Sequence, residues 1–293
     1  MNLKTLPDTS PAGTANICKN CSNEFEGKFC NQCGEKVIHE HERSILHFLE
    51  GVFHVITHID SKILRNLKLI ILRPGFISKN LAEGIRRPFM KPIPMFFVAN
   101  LIYFLFPVFE TFNTSFNSQI RYQQYSVAIR PMVEKKMKEK NITYEQLEQK
   151  YNAKTSTFSK LMLILFVPMF AVVFAIVNFR RDRYFADHLL IALEFMSYML
   201  FYNTILWSFI EVGAVRVSGW MGFDLGFLFG DEMTFSVPVI FLSSYYFLVR
   251  AERTFYEQKW WRAFLKAFLM LGIMPFIVLT YRFILFQVTM IAM

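Results

Sequence analysis

Four cysteines carry the clearest chemistry in this sequence. Cys18-Lys19-Asn20-Cys21 and Cys30-Asn31-Gln32-Cys33 give the spacing C-x2-C-x8-C-x2-C. Two residues between thiolates let a tight knuckle turn aim both sulfurs at one ion, and two facing knuckles complete the closed tetrahedral site that Zn²⁺ accepts. Gly27 and Gly34 supply permissive backbone for such turns,. Four thiolates with one Zn²⁺ carry a net charge of about −2, which Lys19, Lys28 and Lys36 are placed to offset. A four-thiolate site leaves no open position, so the metal is expected to be structural, folding a head too small to build its own core. Such a ribbon can also dock a protein or a nucleic acid.

The histidines form a second group. Five of the 6 fall at His39, His41, His47, His54 and His58. On a helix His47, His54 and His58 share one face, with Glu50 one turn from His54. That stripe could hold a second metal or act as acid and base at a membrane surface. No H-E-x-x-H pair is present, and Phe48, Val52, Phe53 and Ile56 equally describe an interfacial helix with an imidazole edge,.

A third group lies inside an apolar block. Arg183, Asp187, Glu194 and Tyr198 recur at steps of four, seven and four, a polar stripe on one helical face. Ionisable residues within the bilayer are costly and are functional candidates by default, so Asp187 and the deeper Glu194 become candidate polar sites, for instance for a transported ion. Arg282, in a later block, lies too far along its helix to reach Glu194 and is expected to snorkel to the other interface.

The elements that must position these residues follow from composition. Hydrophobic residues make up 54% of the 293, with 34 Phe and 15 Met, against only 19% charged, and mean hydropathy is +0.30. Disorder and a secreted disulfide scaffold are excluded. The apolar excess is gathered in blocks at 92–109, 161–179, 189–210, 233–249 and 267–289, each near the ~20 residues a bilayer span needs. The expected fold is an all-α polytopic membrane protein of about five transmembrane helices, with a small N-terminal four-cysteine zinc ribbon and an amphipathic interfacial helix region.

The divisions read as a flexible lead at 1–17 without a signal-peptide core, the ribbon at 18–36, interfacial helices at 37–91, and a transmembrane domain at 92–293 with an external loop at 110–158,. Helix 60–73 sets Lys62, Arg65 and Arg73 beside Ile63, Leu64, Leu67, Ile70 and Ile71, suiting an anionic inner leaflet,. With the N-terminus in the cytosol, twelve Lys and Arg flank the inner span ends and five the outer, which sets orientation,. The chain is therefore expected in a cell inner membrane, multi-pass, N-terminus cytoplasmic. Nucleic-acid binding is not expected, because inner-leaflet flanks account for the basic excess, and oligomerisation is left open.

The order of parts resembles an uncharacterised family of multi-pass bacterial membrane proteins, domain of unknown function 3667. The matching stretches are CKNCSNEFEGKFCNQCGEK at 18–36, LRPGFISKNLAEGIRRPFMKPIP at 72–94, RYFADHLLIALEFMSYML at 183–200 and YYFLVRAERTFYEQKWWRAFLKAFL at 245–269. Ser22 and Glu35 stand where Gly and Gln are expected after the cysteine pairs. They touch turn geometry and not ligation. The resemblance implies an integral membrane protein with a zinc-ribbon head and implies no known activity. Three functions are weighed: a non-enzymatic interaction or regulatory platform, which leads; a small-solute or ion transporter or channel using Glu194; and a membrane enzyme using the His47/His54/His58 face.

Overall fold

In a computed structural model of the chain, the residues described are 16–17, 23–27, 31–32, 61–85, 89–90, 92–105, 112–179, 183–222 and 236–293. They divide into two units, Met1–Asp60 and Ser61–Met293.

Within the first unit, strands β1 (Asn16–Ile17) and β2 (Glu24–Phe25) pair antiparallel, with Asn16 opposite Phe25 and Ile17 opposite Glu24. Phe25 is buried and Asn23 donates to Asn31 Oδ1 at 2.8 Å. Cys18 and Cys21 fall between these two strands in sequence. Cys18, Cys21, Cys30 and Cys33 lie outside the described residues, as do His47, His54 and His58.

The second unit is helical. Helices α1 (Ser61–Leu72) and α2 (Phe76–Ala82) precede the apolar α3 (Pro92–Leu105). Then come α4 (Phe116–Arg121), α5 (Ser126–Lys140) and α6 (Tyr144–Leu161), which passes through a 3-10 turn at Met162–Leu165 into α7 (Phe166–Val177). Helix α8 (Phe185–Tyr198) continues through a π-helical stretch, Met199–Leu206, into α9 (Trp207–Trp220). The chain ends with α10 (Ser236–Thr254) and α11 (Trp260–Ala292).

Among the described residues, three continuous helices are long and apolar enough to cross a membrane: Tyr144–Val177, Phe185–Trp220 and Trp260–Ala292, of 34, 36 and 33 residues. At ~1.5 Å per residue each spans about 50 Å, well beyond a ~30 Å hydrocarbon layer. They therefore project past the apolar blocks read from the sequence. The segment 110–158, expected as an external loop whose stretch 126–151 is helical and polar, supplies α4, α5 and the first four turns of one of these helices. The described part of α3 has 14 residues, about 21 Å. Leu265, Phe268, Leu269 and Phe276 of α11 are exposed, as side chains facing lipid would be.

One apolar core runs through α1–α3, α7, α8, α10 and α11, with Phe96, Phe166, Phe195, Phe247 and Tyr281 fully buried. Phe166 stacks on Tyr281 with centroids 4.2 Å apart, and the Tyr281 hydroxyl donates to Ser159 O at 2.6 Å. A second cluster joins Phe116, Ile129, Val133, Leu147 and Tyr151 of α4–α6 to Phe286 and Met290 of α11. This cap sits at the far end of α11 from Trp260. Its turns are chemically specified. Asn141 closes α5 at φ 49°, and Thr143 and Gln146 form a reciprocal capping box opening α6,. Ser115 caps α4 by accepting from Ser118 N. The N-x-S/T triplets at 113–115 and 141–143 thus both serve as helix caps.

Candidate functional site: the Glu194 clamp and the polar network beside it

The turn between α1 and α2 is Arg73-Pro74-Gly75. Pro74 ends α1 because it cannot continue the hydrogen-bond ladder. Gly75, the N-cap of α2, sits at φ 80°, which glycine adopts without penalty. It has no side chain to satisfy the first amides of the helix. Glu194 does so from α8. Its Oε1 accepts from Gly75 N at 2.8 Å, and its Oε2 accepts from Ser78 N at 2.8 Å and Ser78 Oγ at 2.5 Å. Glu194 is 0% exposed. Three donors converging on one buried carboxylate compensate its desolvation.

Gly75 is also fixed from its other side. A Cβ there would stand 3.0 Å from Ala251 Cα and 3.3 Å from Phe255 Cβ. Helix α2 is therefore wedged between α8 and α10, and only a residue without a side chain lets the backbone approach α10 so closely. Lys79 adds a pair to Glu257 at 2.6 Å, with Glu83 at 3.9 Å. These charges are partly exposed and contribute little to stability.

At the same end of the bundle lies a buried polar network. Asn178, closing α7, donates through Nδ2 to Glu252 of α10, while its Oδ1 accepts from Lys266 Nζ of α11 at 2.5 Å. One amide thus links a carboxylate and an ammonium that belong to different helices. Beside it, His188 Nδ1 shares a hydrogen bond with the Tyr256 hydroxyl at 2.6 Å, and the rings stack at 5.7 Å. Burial, reinforced by the neighbouring Glu252 carboxylate, pushes the Tyr256 hydroxyl above its ordinary range, so it stays protonated,.

The four residues of the expected polar stripe have separate duties. Asp187 Oδ2 accepts from Tyr184 N at 3.1 Å, capping α8. Arg183 donates to Phe255 O at 3.3 Å and lies 4.9 Å over the Phe255 ring. Glu194 holds α2, and Tyr198 donates to Ser243 O at 3.1 Å. Common spacing on a helix face did not make them one site, because α8 is buried on several sides and each turn meets a different neighbour. His188, Asn178, Glu252 and Lys266 were not singled out by sequence reasoning. The available signal was that Lys266 interrupts an otherwise apolar stretch.

Among the described residues, no group of three or more His, Cys, Asp or Glu is placed to hold a metal ion. Helix α1 packs Asn66 and Ile70 inward, with Asn66 Nδ2 donating to Met90 O at 3.2 Å, while Arg65, Lys68 and Arg73 are exposed. One face is thus packed on the bundle and the opposite one is basic. Arg253 lies 4.3 Å over the Trp260 ring and Arg262 lies 5.1 Å over Trp261, both indoles being exposed. Exposed indoles with adjacent cations are characteristic of a membrane–water boundary.

The family described as a protein of unknown function (DUF3667) matches residues 60–104. Over those residues the chain is similar to an uncharacterised family. They comprise α1, the Arg73-Pro74-Gly75 turn, α2 and all but the last residue of α3. Both Glu194 ligands, Gly75 and Ser78, fall inside the match, and Glu194 itself falls outside it. No curated protein and no solved structure matches the chain.

Proposed function

We propose that this chain is an integral membrane protein of five spans that works as a non-enzymatic platform, presenting a cytosolic zinc ribbon to a protein partner. The observation that carries the reading is the Glu194 clamp. The deepest acid of the α8 helix has both oxygens engaged by Gly75 and Ser78, which suits a device for holding α1 and α2 against the bundle. The same engagement weighs against Glu194 as a transported-ion site, since an ion would have to displace three hydrogen bonds. Helices α3 and α10 complete the five spans by alternating in direction with the three long helices, and the exposed basic face of α1 meets the anionic inner leaflet.

Cys18, Cys21, Cys30 and Cys33 would hold one Zn²⁺, a reading supported by their C-x2-C-x8-C-x2-C spacing,. The metal would supply folding energy to the head and no chemistry. Retrieval of bound proteins from native membranes with the full chain, with Cys30→Ser plus Cys33→Ser, and without residues 1–36 tests the platform. A partner held by the full chain and lost from both variants upholds it. An identical set of proteins on all three overturns it.

A further inference from the structure

A cavity of about 350 Å³ opens in the half of the bundle nearer the cap. Its walls are apolar: Met199 from the π-helical stretch, Ile240 and Phe241 from α10, and Met274 and Val278 from α11. Two polar regions interrupt them. Asn203 and Thr204 lie on the π-helical wall, and Gln123 and Arg282 line the cavity from the cap and from α11.

The π-helical wall is held open by a dedicated network. Ser243 Oγ donates to Asn203 Oδ1 at 2.5 Å, Asn203 Nδ2 contacts Met199 Sδ at 3.0 Å, and Thr204 Oγ1 donates to Met199 O at 3.3 Å. Widened π turns inside α-helices are frequent at functional sites. Pro275, also lining the cavity, removes one amide from the ladder of α11 on the facing wall,. Both helices thus depart from regular α-helical bonding where they border the same space.

Arg282 is half-buried, and among the described residues no carboxylate lies within ion-pairing distance of it. A cation set in an apolar wall without a protein counter-charge is costly. The remaining walls offer dispersion contacts and few polar partners, which suits an alkyl chain. The volume lies at the lower end of the ~300–1,000 Å³ range of small-molecule sites.

We propose that this cavity binds an amphiphile carrying a phosphate, its alkyl chain between Met199, Ile240 and Met274 and its anionic head against Arg282 and Gln123. The source is either an anionic phospholipid of the surrounding bilayer or a free alkyl phosphate. The site is independent of the zinc ribbon, so the two readings stand or fall separately.

The test uses the full chain in dodecyl maltoside and native mass spectrometry, with dioleoylphosphatidylglycerol, dioleoylphosphatidylcholine, dodecyl phosphate or dodecyltrimethylammonium added in turn. One anionic molecule per chain should be retained about fivefold more tightly than its neutral or cationic counterpart, the effect of one basic residue beside an anionic group. Arg282→Gln should abolish that preference and Arg282→Lys should keep it. Ile240→Trp, which fills the cavity, should abolish retention while far-ultraviolet dichroism stays that of the wild type. Preference for phosphatidylglycerol alone assigns a bilayer lipid, and preference for dodecyl phosphate as well, or alone, assigns a free alkyl phosphate. Equal retention of anionic and non-anionic probes by the wild type, or an undiminished preference in Arg282→Gln, overturns the proposal.

Discussion

The Gly75 amide donates to Glu194 Oε1 at 2.8 Å across 119 residues of sequence. A seven-residue helix whose N-cap residue lacks a side chain is thereby capped by a carboxylate from another helix. Glu194→Ala leaves two buried amides and a hydroxyl without their acceptor and should destabilise the protein by about 3 kcal/mol. Glu194→Gln, which keeps the volume and one acceptor, should cost roughly half as much. Thermal unfolding in detergent checks both, and full stability in the alanine variant would show that the clamp holds nothing.

Gly75→Ala meets two obstacles at once, a positive φ and a Cβ 3.0 Å from Ala251 Cα. A loss of about 2 kcal/mol is expected, and because backbone blocks the new methyl group, α2 must move. Limited proteolysis after Arg73 or Lys79 should then accelerate. Gly84, whose added Cβ meets nothing within 4 Å despite φ 89°, is the control, and its alanine variant should show only the smaller backbone penalty.

In the buried network Asn178 donates to Glu252 and accepts from Lys266. Asn178→Leu, close in volume, removes both contacts and should lower the unfolding temperature more than Lys266→Met does, since it takes a hydrogen bond from each of two charged groups,. The order of the two variants is the readout. A more damaging Lys266→Met would mean that the amide is not the bridge.

The proposed arrangement of five spans with a cytosolic N-terminus predicts where an impermeant thiol reagent reaches in intact cells. Lys135, whose side chain is 76% exposed at the cap, should be labelled when changed to Cys. Glu257, 62% exposed at the clamp end, should not. Phe255 is buried and would stay silent from either side, so Glu257 is the informative position. Labelling of Glu257→Cys from outside reverses the orientation.

Metal analysis of the purified chain should give one zinc per molecule, lost together with the folded head in Cys30→Ser plus Cys33→Ser. Zinc retained by that double variant would remove Cys30 and Cys33 from the ligand set.

The apolar blocks of the sequence determined that the chain is helical and suited to a membrane, because runs of uncharged residues near bilayer length carry that information locally. The helical character of 126–161 was equally local, written in Asn141, Thr143 and Gln146 as caps. The depth of Glu194 in an apolar block marked it as unusual, but its partners were not legible, because spacing along α8 says which residues share a face and nothing about what packs there. Its ligands are two backbone amides and a serine in a segment that reads as an interfacial turn. Only the tertiary structure decided that Gly75 is wedged against Ala251, that Asn178 joins Glu252 to Lys266, and that the turns at Met199–Leu206 widen beside Pro275 to leave a cavity under Arg282. Each is a contact between helices distant in sequence, where position depends on the packing of the whole bundle and not on the local run of residues.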